Sequence, residues 1–176
     1  MADEKSRSVD DEAQVSIPDS TFAAIGRWLE ANEWNYQEYP DKGYYAMHFS
    51  GQHGSWRVIV DINTSETLER ILVYSIYPIS VPELKRHEMS ELITRANYGM
   101  TIGGFEMDFE DGAVRMKTAS EIDKRAFSEE VFGELFSCNL GVAGRYLPAI
   151  YGVAFGNLLP EVAIQMAEKP PRAAIQ

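Results

Sequence analysis

Apolar residues recur along the chain with two periods, and the switches between them set the order of elements. Phe22, Ile25 and Leu29 fall three and four apart with Arg27 and Glu30 between them, which is one face of an amphipathic helix. Pro18, Asp19 and Ser20 favour its start, and the pattern ends near residues 32–34. The period then drops to two. Trp34 and Tyr36 share one face of an extended segment that runs to Tyr39. Tyr45, Met47 and Phe49 line one side of the next segment, and Trp56, Val58, Val60 and Ile62 alternate with Arg57, Ile59 and Asp61 in the one after. Turn residues separate these segments at 40–43, 51–54 and 63–66. Residues 68–77 (LERILVYSIY) are apolar on both sides in their second half, which predicts a central strand covered on both faces.

Helical spacing returns over residues 82–97, opened by Pro82, with Met89, Leu92, Ile93 and Ala96 as the stripe that faces the sheet. Gly99 is expected to supply a left-handed helix end. Ser128, Glu129 and Glu130 cap a long apolar helix over residues 131–155. Gly133, Ser137, Gly141, Gly144, Gly152 and Gly156 form a small-residue stripe along it, which suggests close packing, and Pro148 is expected to kink or divide it. Pro160 opens a last short helix, and a loose tail begins at Lys169.

Between the two long helices lies the stretch that organises the rest, residues 91–118. Asp111-Gly112 signals a two-residue hairpin turn with positive φ. Folding the chain there sets Glu110 opposite Ala113, Phe109 opposite Val114, Asp108 opposite Arg115, Met107 opposite Met116 and Glu106 opposite Lys117. Apolar residues then meet on one face and opposite charges on the other. A slip of one residue would move Met107 and Phe109 into water.

These elements add up to an α+β domain: an antiparallel sheet of about five strands with three main helices, in the order α-β-β-β-α-β-β-α. Residues 1–16 are acidic and aperiodic and read as a disordered tail, residues 17–157 form the domain, and residues 158–176 hold the short helix and the tail.

Composition narrows the partners. The chain has 176 residues, 45% hydrophobic and 24% charged, which fits one globular domain. A net charge of −11 argues against nucleic acid and against anionic membrane surfaces, and suits solubility or a basic partner. Residues 140–159 are long enough for a membrane span, but Arg145, Pro148 and Asn157 interrupt them, so no span is expected. Cys138 is the single cysteine, so neither an intramolecular disulfide nor a cysteine-based zinc site can form. With no apolar leader at the start, a cytoplasmic location is expected.

Candidate chemistry is sparse. Glu106, Asp108, Glu110 and Asp111 are oxygen donors that could collect a divalent cation. They lack the spacing of a calcium loop, and pairing with Arg115 and Lys117 on a solvated face is the simpler expectation. His48, His53 and His87 have no partner histidine at i, i+4. Cys138 sits on the apolar helix, where a buried, inert thiol is expected, and its neighbours Ser137 and Asn139 supply no basic group. The run 99–104 (GMTIGG) lacks the Lys-Ser/Thr of a phosphate loop and leads into a strand. No cofactor and no catalytic residue is assigned.

Several short runs, taken together, resemble the YbjN family of bacterial proteins. They are Ala96-Asn97-Tyr98-Gly99, Gly104-Phe105-Glu106-Met107-Asp108-Phe109, Asp111-Gly112, Val114-Arg115-Met116-Lys117-Thr118, Arg145-Tyr146-Leu147-Pro148 and Ile150-Tyr151-Gly152. The resemblance covers residues 17–156. It implies an α+β domain similar to type III secretion chaperones, with helices on a strongly bent antiparallel sheet, and a role in regulating sensory transduction. It brings no catalytic residues, and similarity of fold does not by itself establish chaperone function.

The expected function is a non-enzymatic protein-binding or regulatory module that forms a homodimer. Trp34, Tyr36 and Tyr39 are the partner-binding candidates, because aromatics suit interfaces, with filling the edge of the core as their competing role. Two alternatives stay open: a metal-dependent enzyme using Glu106, Asp108 and a histidine, and a small-molecule sensor with a pocket between the long helix and the sheet.

Overall fold

The structure is a computed structural model that describes residues 20–123 and 126–169. The expectations for the acidic tail, for Pro18 and Asp19, and for the last residues fall outside the described part. Ser20 caps α1 (Thr21–Ala31), its side chain accepting the Ala23 N–H at 3.2 Å. Ala24, Ile25 and Leu29 are the buried stripe of this helix. Six strands follow: β1 (Gln37–Tyr39), β2 (Tyr44–Gly51), β3 (Gly54–Thr64), β4 (Leu68–Ser80), β5 (Gly104–Met107) and β6 (Ala113–Asp123). They form one sheet in the order β1-β2-β3-β4-β6-β5, antiparallel throughout. The aromatic segment supplies the short β1, which brings the expected five strands to six.

Three more helices complete the α+β fold: α2 (Arg86–Tyr98), α3 (Glu129–Phe155) and α4 (Pro160–Glu168). A short turn of tighter helix, Glu83–Lys85, precedes α2, so the helix begins later than Pro82. Ser128 caps α3 by accepting the Val131 N–H, and Pro160 stands in the first turn of α4. Gly99 follows α2 with φ −93°, an ordinary right-handed value, so the expected left-handed helix end is not found. The left-handed glycine of this region is Gly103, φ 74°, at the entry to β5.

Pro148 does not divide α3, which runs unbroken through it. A proline inside a helix costs about 3 kcal/mol. Here Leu147, Ala149 and Ile150 are all buried beside it, and packing of that face outweighs the lost hydrogen bond. The small-residue stripe is used in part. A Cβ on Gly133 would come within 3.1 Å of Trp28, and one on Gly144 within 3.3 Å of Trp56, whereas Gly141 faces open space. Among the described residues no helix is long and apolar enough to cross a membrane.

α3 lies across the middle of the sheet and is tied to it by buried polar contacts. Asn139 donates to the Val73 carbonyl at 2.8 Å and accepts from the Ser75 hydroxyl at 2.6 Å. Ser75 in turn accepts the Trp56 indole N–H at 2.8 Å. Tyr77 donates to the Ala143 carbonyl at 2.8 Å, and burial pushes its phenol well above the usual range. Around these contacts pack Trp56, Val58, Val60, Val73, Met116, Phe132, Phe136 and Ile150.

The hairpin departs from its expected register by two residues. Glu106 pairs with Arg115 and Met107 with Val114. The loop is therefore longer than two residues: Asp108 N–H bonds to the Ala113 carbonyl, and Gly112 N–H to the Asp108 carbonyl. Gly112 takes the positive φ, 77°, and Asp111 does not. Asp108 and Asp111 bond through their side chains to the Glu110 and Ala113 N–H groups, both at 2.8 Å. Such local acceptors stabilise a wider turn in place of the tight one. Because the shift is even, Met107, Val114 and Met116 keep the expected face, but Phe109 moves into the loop and is exposed.

Candidate functional site

All the helix contacts above use one face of the sheet. Along β4, Ile71, Val73, Ser75 and Tyr77 are buried against the helices, while Leu72, Tyr74 and Ile76 on the alternate side stay partly exposed. The expectation of a strand covered on both faces is therefore corrected. β4 is central, but among the described residues nothing covers its second face.

Register shows what shares that open face. Ile59 pairs with Tyr74, and Tyr74 with Lys117. Asp61 pairs with Leu72, and Leu72 with Ala119. His48, Arg57, Ile76, Arg115 and Glu106 follow one another across five strands in a single row. The centre is thus apolar, with Ile59, Leu72, Tyr74 and Ile76, and charge surrounds it.

The charges are distributed unevenly. Glu106 receives hydrogen bonds from Arg115, at 2.7 Å, and from Lys117. Partial burial pushes the Glu106 carboxyl up, but these bonds and the two cations outweigh it and hold it below the usual carboxylate range. Arg115 also lies over the Tyr74 ring, 4.6 Å from its centroid. Arg70 pairs with Glu121 at 2.6 Å. Arg57 is exposed and has no ion pair among the described residues. Arg57, Arg70, Arg115 and Lys117 share the face with Asp61, Glu106, Glu121 and Asp123, so the strand residues of the open face balance in charge on a chain of net charge −11.

Two open clefts indent this face. One, of about 640 Å³, is lined by Ile76, Glu106, Met107, Asp108, Phe109 and Arg115. The other, of about 610 Å³, is lined by Tyr36, Gln37, Ala46, His48 and Arg57. Arg57 and Ile76 are register partners, so the two clefts adjoin in the middle of the sheet.

The three aromatic candidates are not one cluster. Tyr36 lines the second cleft, packs edge-on to Tyr45 at 5.4 Å and reaches the Gly26 carbonyl at 3.4 Å. Burial, then Glu30 and Glu38, raise its phenol. Tyr39 stacks on Tyr44 at 4.5 Å, at the margin of the open face. Trp34 packs against Phe136 of α3 at 5.0 Å and Phe49 at 6.0 Å, on the helix side.

The acidic hairpin residues divide in the same way. Glu106 alone takes both neighbouring cations, where the expected register gave Asp108 to Arg115. Asp108 and Asp111 shape the loop instead. His48 lies on the open face, His53 in the β2–β3 turn, and His87 on α2, 6.2 Å from the Phe109 ring. Among the described residues no three His, Cys, Asp or Glu side chains are grouped to hold a metal ion.

Two further hollows bear on earlier expectations. Cys138 is only partly buried and lines a cleft of about 420 Å³ with Met100, Val142, Arg145, Tyr146 and Glu168. Between the start of α3 and the sheet lies a cleft of about 180 Å³, lined by Ile71, Ile122, Phe127, Phe132 and Leu135. Pockets for small ligands usually reach about 300–1,000 Å³.

The family model YbjN, described as "Putative bacterial sensory transduction regulator", matches residues 21–151. A search of curated proteins gives no match. The match spans α1, the whole sheet, α2 and most of α3.

Proposed function

The chain belongs to the YbjN family, and from that premise we propose that it is a regulatory module that binds a protein partner and performs no catalysis. The partner lies on the open face of the sheet. It presents apolar side chains to Ile59, Leu72, Tyr74 and Ile76, and a carboxylate to Arg57. The observation that carries this reading is the double-sided apolar pattern of β4. An antiparallel sheet that faces water on one side normally alternates apolar and polar residues cleanly. Leu72, Tyr74 and Ile76 break that rule on the side that no helix among the described residues covers. Contiguous apolar surface rimmed by polar groups is what interaction sites carry. The charges support the same choice, since those of the face balance while the chain as a whole is strongly acidic. The proposal extends to a homodimer acting in the cytoplasm, which light scattering and cell fractionation test.

The experiment is affinity capture at native abundance with four proteins: wild type, Ile59→Asp, Leu72→Asp, and Glu134→Lys on the exposed side of α3. The reading expects a protein recovered by wild type and by Glu134→Lys, and reduced about ten-fold or more by either face variant. Equal recovery by all four, or none above background, overturns it.

A further inference from the structure

The outer edge of β5 is separate from the open face. β6 lies on one side of β5, and among the described residues no strand lies on the other. In an antiparallel pair, successive residues turn their backbone groups alternately toward the partner and away. Asp108 N–H bonds to the Ala113 carbonyl, so Glu106 and Gly104 face β6, and Phe105 and Met107 face outward.

One side chain takes both outward groups of Phe105. The Asn97 amide donates to the Phe105 carbonyl at 3.0 Å, and the Phe105 N–H donates to the Asn97 Oδ1 at 2.7 Å. That double exchange is what a residue of a neighbouring antiparallel strand would make. Asn97 reaches the edge from the last turn of α2, and Gly104 leaves it room, since a Cβ there would come within 3.2 Å of Oδ1. Two residues on, no described residue bonds to the outward backbone groups of Met107. Large apolar side chains flank the edge without cover: Tyr98 is 96% exposed, Ile102 49% and Phe109 51%. A guarded edge normally ends in charge or proline. This one has backbone groups open at Met107 and apolar residues on both flanks, the features that strand addition uses.

We propose that the outward edge of β5 is a strand-pairing site for an extended, apolar-bearing segment of a partner protein, held closed by Asn97 in the place of that strand. Binding requires the Asn97 side chain to swing away, so affinity is set by how firmly it is held. The Asn97-Tyr98 and Gly104-Phe105 pairs of the family-like runs thereby share one role.

The test uses the full chain and a fluorescein-labelled peptide of residues 113–123, the β6 sequence, which pairs with the other side of β5. Anisotropy titrations compare wild type, Asn97→Ala, and Asn97→Ala with Met107→Pro. Proline at 107 removes an N–H that points outward and so leaves the β6 pairing intact. The expected result is binding by Asn97→Ala about ten-fold or more tighter than by wild type, abolished by the added proline. Equal affinities for wild type and Asn97→Ala, no binding to either, or binding that survives the proline overturns the proposal. Dimers of Asn97→Ala that exclude the peptide would place a second copy at the edge and overturn the partner assignment. Where Asn97→Ala fails to fold, Asn97→Asp keeps the acceptor for Phe105 N–H, loses the donor, and is held to the same outcomes.

Discussion

The Asn139 side chain crosses from the middle of α3 to the middle of the sheet and donates to the Val73 carbonyl at 2.8 Å. Its oxygen accepts from Ser75, and the residue is fully buried. This contact fixes which face of the sheet α3 covers, and hence which face is left open. Asn139→Leu fills similar volume but leaves the Val73 carbonyl and the Ser75 hydroxyl with one partner fewer in a dry core. The expected cost is about 2–4 kcal/mol, read from urea unfolding with an unchanged slope. A cost under about 0.5 kcal/mol, the usual range of surface changes, would remove the contact from the account.

Gly112 closes the hairpin loop against the chain entering α2. Its φ is 77°, and a Cβ there would come within 2.3 Å of the Val81 carbonyl oxygen. Gly112→Ala therefore combines left-handed strain with a backbone clash. It is expected to lower stability by about 1–3 kcal/mol and to loosen the Val81 N–H, which bonds to the Gly112 carbonyl at 2.9 Å. Hydrogen exchange at Val81 checks the second point.

The Glu106 carboxyl is held below the ordinary value of 4.5 by Lys117 and Arg115 in spite of partial burial. A carboxyl with a depressed folded pKa contributes stability that is present above its unfolded pKa and lost as pH falls through the folded one. Stability should thus drop as pH falls below about 4.5, and Glu106→Gln should flatten that part of the curve. The pair is partly solvated, so the contribution is under about 1 kcal/mol and shrinks with salt. Parallel acid titrations of the two proteins in low and high salt measure it.

Pro148 offers a change in the other direction. It is exposed and has no N–H to give to the Gly144 carbonyl one turn back. Pro148→Ala restores that donor at a surface position. It is expected to stabilise the fold by up to about 3 kcal/mol, seen as a higher melting temperature.

Much of the fold was legible because burial leaves a periodic trace. Ile25 and Leu29, Val58 and Val60, and Met89, Leu92 and Ala96 all face the core as their spacing implies. The misreadings have local causes. Asp111-Gly112 favours a two-residue turn, but the side chains of Asp108 and Asp111 bond to backbone N–H groups and open a longer loop. No periodicity reports that competition. Gly99 has the composition of a left-handed cap, yet the chain uses Gly103 for that conformation. Of the site, the aromatic candidates were visible, and the spacing of Trp34 and Tyr36 rightly set both on one face, which is the helix side; Tyr39, beside Tyr44, is the one at the open face. Leu72, Tyr74 and Ile76 were visible as the apolar second side of β4. A sequence cannot distinguish a face covered by its own helices from one that they leave open.

The most direct test of the open-face reading is site-specific photo-crosslinking in cells producing the protein at native level. A benzophenone side chain is placed at Ile59, in the centre of the face, and separately at Glu134, on the solvent side of α3. The account predicts a discrete adduct with another protein from position 59 that is missing from position 134. Identical adducts from both positions, or an adduct from position 134 alone, would contradict it.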